Sequence, residues 1–350
     1  YVELSPDELF RHPVFNRVKL HIHKQTSELE EFVSQLELSG IDNALFVMNT
    51  KRSAVELYRM IKAQYEGEFT VFCLTTLHAP ACRLATIKRI KEALNGHERV
   101  ILVSTQLIEA GVDISFCRVY RDFGPLDSII QVAGRCNRNG ELGVLGGEMH
   151  LLRLAKDSRE YSTQVYDDYI LTKTREILYK HEVLESRDFA VLIQEYYHSL
   201  EFAAEAKAIL TAISELNYDQ DIRGQLAIDR FHIIEDQYAS LSVYILMTDF
   251  AQQTMDQLLE AREALKDFGD LDETIELKAR LKIARSFKNL SPFQINLKPS
   301  EFRNYSIQMA HVNKLDENVY YISQEGTDKV YSCETGFLTE PIEQGACLSL

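Results

Sequence analysis

Apolar residues along the first 155 positions come in short, nearly continuous runs. They are Arg17–His23, Ala44–Met48, Phe69–Leu74, Val100–Val103, Cys117–Tyr120 and Glu148–Leu152. Runs of this length and continuity fit strands of a parallel sheet covered on both faces. Between them, apolar positions recur every three or four residues over Glu28–Leu38, Arg52–Gln64, Arg83–Leu94 and Leu126–Cys136, the period of helices. Strand and helix in alternation predict a doubly wound α/β domain, whose ligands gather at the carboxyl ends of the strands.

From about residue 156 the period changes. Tyr161–Lys180, Asp188–Leu216, Phe250–Lys266 and Glu273–Phe287 read as helices. Asp229–Tyr244 reads as strand, turn, strand, and the last fifty residues as short antiparallel strands. The expected class is therefore α/β: a parallel sheet with flanking helices, then a mainly helical region with a small antiparallel β element. The expected division is a linker over 1–20, the sheet domain over 21–155, linker helices over 156–220 and an accessory domain over 221–350.

Charge refines this division. The net charge is −15 over 350 residues. Residues 1–155 hold 18 Lys and Arg against 19 Asp and Glu, and the rest hold 20 against 34. The acidity belongs to the second half, which is a poor general binder of nucleic acid; the near-neutral first half can carry a local basic groove. No apolar run approaches the ~20 residues that span a bilayer, and the first residues lack the pattern of a signal peptide, so a cytoplasmic protein with no membrane partner is expected. The six cysteines form no CxxC pair, so no metal site is expected and the thiols are read as reduced. His21 and His23 are read as structural.

Two stretches carry chemistry. In Arg99–Ile114 (RVILVSTQLIEAGVDI) a strand runs into Ser104 and Thr105, then Gly111 and Asp113. A hydroxyl at a strand end suits a phosphate oxygen, a glycine admits close backbone approach, and a carboxylate suits a sugar hydroxyl. In Arg121–Gly140 (RDFGPLDSIIQVAGRCNRNG), Gly124-Pro125 reads as a helix entry and Asn139-Gly140 as its stop. On one helix, Gln131, Arg135 and Arg138 fall within a stripe of roughly 60°. Two guanidinium forks aimed together suit a polyphosphate.

The two stretches together resemble motifs V and VI of superfamily-two helicases, in their second RecA-like domain. Asn49-Thr50 stands where motif IV should be, and His78 where such domains often carry a histidine near the nucleic acid. The phrases VSTQLIEAGVDISF and RDFGPLDSIIQVAGRCNR are similar to the CRISPR-associated helicase-nuclease of type I systems. Val132 departs from that pattern, which commonly has Arg after the motif VI Gln. No GxxxxGK[ST] phosphate loop and no convincing DExx motif occur in the sequence.

The resemblance implies the C-terminal portion of a larger enzyme, or one subunit of a split one. Its RecA-like sheet is of the P-loop NTPase kind without the P-loop. Another part, the first RecA-like domain, would hold ATP and Mg2+, and an HD nuclease domain would cut DNA. No tightly bound cofactor is expected on this chain alone, which is expected to be inactive by itself. The resemblance implies Arg138 as the arginine finger, Arg135 as its partner on the γ-phosphate, and Gln131 placing the nucleotide or the attacking water. It implies Gly111 and Asp113 at the ATP sugar, Thr105 on a phosphate of single-stranded DNA, and Asn49, Thr50 and His78 along the same groove. It further implies an RNA-guided surveillance complex as partner. Other superfamily-two RNA or repair helicases, and a protein-binding module, are the alternative readings.

Overall fold

The computed structural model describes residues 12–109, 112–200, 204–218, 228, 240–266, 273–303 and 311–338. Six parallel strands form the main sheet: β1 (Val18–Glu28), β2 (Asn43–Val47), β3 (Thr70–Leu74), β4 (Val100–Ser104), β5 (Arg118–Asp122) and β6 (Gly147–Lys156). Their order is β3-β4-β2-β5-β6-β1. The short strands β7 (Arg159–Glu160) and β8 (Val183–Glu185) add antiparallel to β6 and β1. All six predicted runs are strands; β2, β4 and β5 are almost wholly buried, whereas β1 and β6 alternate buried apolar with less buried polar positions.

Helices cover both faces. On one, α1 (Leu29–Ser34) and α2 (Lys51–Gln64) pack Val33, Leu57 and Ile61 against Phe46, Ile101 and Val103. On the other, α3 (Pro80–Asn95), α4 (Leu126–Ala133), α5 (Asp168–Leu178) and α6 (Phe189–Ser199) bring Ile90, Ile129, Leu171 and Leu192 onto Leu45, Val47 and Leu102. Each such side chain contributes about 1.5–3 kcal/mol through burial. The helix expected over Glu28–Leu38 is only α1, because β1 runs on past a register shift and pairs Thr26–Glu28 with Arg153–Ala155. β8 lies within the stretch expected to be linker helices and extends the main sheet instead.

The single long helix expected over Asp188–Leu216 is two, α6 and α7 (Ala204–Ser214). A second sheet has the order β10-β9-β12-β11, from β9 (Leu241–Ile245), β10 (Gln294–Leu297), β11 (Val312–Asp316) and β12 (Val319–Ile322). It is mixed rather than purely antiparallel, since β12 pairs parallel with β9. Helices α8 (Asp249–Lys266) and α9 (Glu273–Leu290) pack against each other beside it. The first strand and turn expected within Asp229–Tyr244 lie outside the described residues, and the second strand is β9. Leu241, Val243, Ile295 and Leu297 share one continuous core with Leu77, Ala79, Tyr331 and Phe337, so the second sheet packs on the first domain. Among the described residues no helix is long and apolar enough to cross a membrane.

Candidate functional site

Register places the carboxyl ends of the parallel strands side by side. Leu74 and Val47 both pair with Ser104, and Val47 also pairs with Arg121. The residues that follow these ends therefore form one edge: Thr75 to His78, Asn49 and Thr50, Thr105 onward, and Asp122. This is where an open α/β sheet receives ligands.

After β4 the chain makes one 3₁₀ turn, Gln106–Ile108, with Thr105 buried at its start. Gly111 lies outside the described residues. Beyond it, Asp113 is exposed, with its side chain 76% accessible.

The motif VI stretch departs from the single helix predicted. Helix α4 ends at Ala133, with Gly134 as its C-cap. Phe116 and Cys136 then form an isolated bridge: the Phe116 amide donates to the Arg135 carbonyl at 3.0 Å, and the Asn137 amide to the Phe116 carbonyl at 2.8 Å. Asn137 takes a left-handed φ of 45°, a conformation Asn tolerates better than most residues. This tertiary bridge ends the helix six residues before the predicted stop at Asn139-Gly140.

The 60° stripe consequently does not form. Gln131 is exposed on α4. Arg135 is buried, with Nη1 donating to the Val112 carbonyl at 2.7 Å and Nη2 to the Glu109 carbonyl at 2.6 Å. Burial and the nearby Arg138 charge pull its guanidinium below the ordinary value, and its Nε has no partner among the described residues. Arg138 is half-exposed, and its Nε meets Asp113 Oδ1 at 2.9 Å. Its backbone is fixed by Ser115 Oγ, which accepts from the Arg138 amide at 3.0 Å, and by Arg17, which donates to its carbonyl. The two arginines thus do different things: one holds the 109–112 loop and the other stands at the surface.

Asn49 does not line an open groove but belongs to a buried polar network. Its Nδ2 donates to Asp122 Oδ2 at 2.5 Å and to the Phe123 carbonyl at 2.6 Å. Arg121, wholly buried, donates through Nη1 to Asn49 Oδ1 at 2.6 Å. Through Nη2 it donates to Ser128 Oγ at 2.9 Å and Tyr166 Oη at 3.1 Å, and pairs with Glu109 at 3.4 Å. Gln106 donates to the Asn49 carbonyl and to Tyr166. Asp122 Oδ1 accepts from the Phe123 and Leu154 amides at 3.0 and 3.1 Å. Burial pushes the Asp122 carboxyl up to about 7 despite the lowering effect of Arg121. Burial likewise raises Glu109, opposed by Arg121 and Ser128.

Sequence reasoning missed Arg121, Asp122, Glu109 and Tyr166. One signal was available: an Arg-Asp pair closing a strand that is otherwise apolar, where unpaired charge is costly.

Thr50 is partly exposed and caps α2, its Oγ1 accepting from the Ser53 amide at 3.0 Å. His78 is fully buried rather than groove-lining. Its Nε2 donates to the Glu334 carbonyl at 3.1 Å, and burial lowers its pKa. The cover is a C-terminal hairpin of β13 (Tyr331–Ser332) and β14 (Gly336–Phe337). Gly336 makes that approach possible: its φ is +80° and a Cβ there would lie 2.5 Å from the Leu77 carbonyl carbon. Among the described residues no cluster of three or more His, Cys, Asp or Glu could hold a metal, whereas the exposed Arg138 suits an anionic phosphate.

Residues 41–141 match the family model described as CRISPR-associated nuclease/helicase Cas3, C-terminal. The CRISPR-associated nuclease/helicase Cas3 of Haloferax volcanii is 46% identical over 94 residues, which is 27% of this chain and 10% of that protein. The fold is similar to T. fusca Cas3 solved with ATP, at a TM-score of 0.55 and 15% identity, over 87% of this chain and 39% of that one. It is also similar to a chain of a CRISPR RNA-guided surveillance complex in a pre-nicking state, at 0.54 and 15%, over 89% and 42%. The chain therefore spans well under half of each of these proteins. Residues 41–141 thus match the Cas3-like C-terminal family model, and the chain is similar over part of its length to CRISPR-associated nuclease/helicases of that name.

Proposed function

We propose that this chain supplies the second motor half of an ATP-driven single-stranded-DNA translocase, which feeds DNA to a nuclease domain carried elsewhere in the complete protein. The observation that carries the reading is the placement of Arg138. It stands half-exposed beside the amino ends of β5 and β1, on a fixed backbone, with one exposed carboxylate as its ion-pair partner among the described residues.

Such a pair is exchangeable, because an ion pair in water is worth only about 0–1 kcal/mol. A phosphate presented by a facing domain competes easily with Asp113 for the guanidinium. Arg138 then acts as the arginine finger, and Asp113, released, is free to accept from a ribose hydroxyl. Arg135 acts at one remove, keeping the 109–112 loop in place through two carbonyls. Gln131 is exposed on α4 and can reach the same ligand. The buried Arg121 network ties Glu109 to Asn49 and so to Thr50 at the start of α2, which faces the DNA strand in this reading. Thr105, at the end of β4, flanks Asn49 and Thr50 at the end of β2. Mg2+ and the triphosphate are held by the other motor half. The surveillance complex recruits the complete protein, which works in a prokaryotic cytoplasm. In this reading residues 21–155 are the motor domain, 156–220 connect it, and 221–350 are an accessory domain.

The test is Arg138→Ala in the complete protein. DNA-stimulated ATPase falls about 10³–10⁵-fold, as for other arginine fingers, while single-stranded DNA affinity stays within about twofold. Retained ATPase sinks the assignment.

A further inference from the structure

Cys82 and Cys333 are brought together by the C-terminal hairpin from positions 251 apart in the chain, and their sulfurs lie 3.7 Å apart. Both are thiols. Cys82 sits in the first turn of α3, buried, with its Sγ directed at Met247 Sδ at 3.4 Å. Cys333 is exposed, in the turn between β13 and β14.

The backbone around each is pinned to the other's element. The Ala79 amide donates to Tyr331 Oη at 3.0 Å, the Phe337 amide to the Leu77 carbonyl at 3.0 Å, and His78 to the Glu334 carbonyl at 3.1 Å. Glu334 is also held by Lys62 at 2.8 Å and by Tyr58 at 3.0 Å. These contacts lie one to five residues from the two cysteines.

We propose that Cys82 and Cys333 are a reversible disulfide-forming site that staples the C-terminal hairpin to the motor domain. The co-reactant is a low-molecular-weight disulfide. The Cys333 thiolate, which solvent reaches, attacks one sulfur of it, forming a mixed disulfide and releasing one small thiolate. The Cys82 thiolate then attacks the Cys333 sulfur, closing the protein bridge and releasing the second small thiolate. Overall the two protein thiols lose two electrons and two protons, and the small disulfide becomes two thiols. A bridge needs the sulfurs at about 2.05 Å, so side-chain rotation closes the remaining gap while the pinned backbone stays. Burial and the neighbouring Cys82 push the Cys333 thiol up to about 11, so the first step is slow at neutral pH and quickens as pH rises. Once closed, the bridge keeps the hairpin over Leu77 and His78 until a thiol reverses it. Proximity of this kind in a thiol-rich compartment suits a transient regulatory bond rather than a permanent one.

The test needs no motor activity and so stands apart from the proposed function. The chain is purified reduced, exposed to oxidised glutathione at pH 7 and pH 9, alkylated, and mapped as non-reduced peptides. The expected product is a Cys82–Cys333 linked peptide with a mass loss of two hydrogens. It forms several-fold faster at pH 9, is lost in C333S, and is unchanged in C347S. Amide exchange over 331–337 slows several-fold in the oxidised form and recovers with dithiothreitol. A product in which Cys333 carries only glutathione, or pairs with Cys347, overturns the proposal.

Discussion

Two arginine–carboxylate groups, Arg138 with Asp113 near the amino end of β5 and Arg121 with Glu109 and Asp122 at its carboxyl end, sit in opposite surroundings. Arg138 is 39% exposed and its carboxylate 76%; Arg121 is 0% exposed and Glu109 12%. Arg138's guanidinium has one carboxylate partner among the described residues. Arg121's has Asn49, Ser128, Tyr166, Glu109 and a carbonyl. Water screens the first pair, so it can be exchanged for a ligand. Burial makes the second costly to break, because every group it satisfies would be left unpaired. Placement, and not residue type, separates a movable contact from a fixed one.

The largest break in this comparison is Arg121→Met. It leaves Glu109 and Asp122 buried without their cation, and should lower unfolding free energy by about 3–5 kcal/mol in a urea titration. Arg138→Ala in the same assay should move stability by no more than about 0.5 kcal/mol. Equal stability losses would show that exposure does not divide the two sites.

Next in size is the pH dependence of Asp122. Its carboxyl is raised from an ordinary 3.8 to about 7 in the folded chain, mainly by burial. Between these values the folded state binds more protons than the unfolded state. Stability therefore falls as pH rises from about 4 to about 7, by a few kcal/mol. Asp122→Asn removes this titration. Its stability profile should fall less steeply over that window than that of wild type, the raised Glu109 still contributing, after an offset of about 1–3 kcal/mol for mismatched donors. A wild-type profile that rises over the same window would overturn the burial argument.

These particulars also show what the sequence could and could not reveal. The inner strands β2, β4 and β5 were legible because parallel strands covered on both faces must be apolar throughout, and β1 and β6 because their apolar residues alternate. The motif phrases were legible because their residue types and spacing match the family that residues 41–141 resemble. The end of α4 was not: the i, i+4, i+7 spacing of Gln131, Arg135 and Arg138 continues past Ala133, and what stops the helix is the Phe116–Cys136 bridge. Nor was the burial of His78, which depends on Glu334 and Gly336 more than 250 positions away. Asn49 illustrates the middle case. Its position at a strand end was readable, but its partners Arg121 and Asp122 are one strand away in space and over 70 residues away in sequence.

The smallest effect tests the boundary between the two surroundings, which runs between Asn49 and Thr50. Asn49 is buried in the Arg121 network, while its neighbour Thr50 faces outward and caps α2. Thr50→Ala removes the acceptor for the Ser53 amide and should cost about 1 kcal/mol in the same urea titration. Thr50→Ser keeps the oxygen and should restore most of it, since Ser and Thr cap comparably. If Thr50 also meets a DNA phosphate, the Ala variant of the complete protein loses a few-fold in single-stranded DNA affinity while the Ser variant does not. Cap and phosphate contact use the same hydroxyl in different directions: the oxygen accepts from Ser53 and its proton points to the ligand. An Ala variant that loses stability but binds DNA as well as wild type therefore confines Thr50 to capping, and moves the DNA contact off this edge of α2.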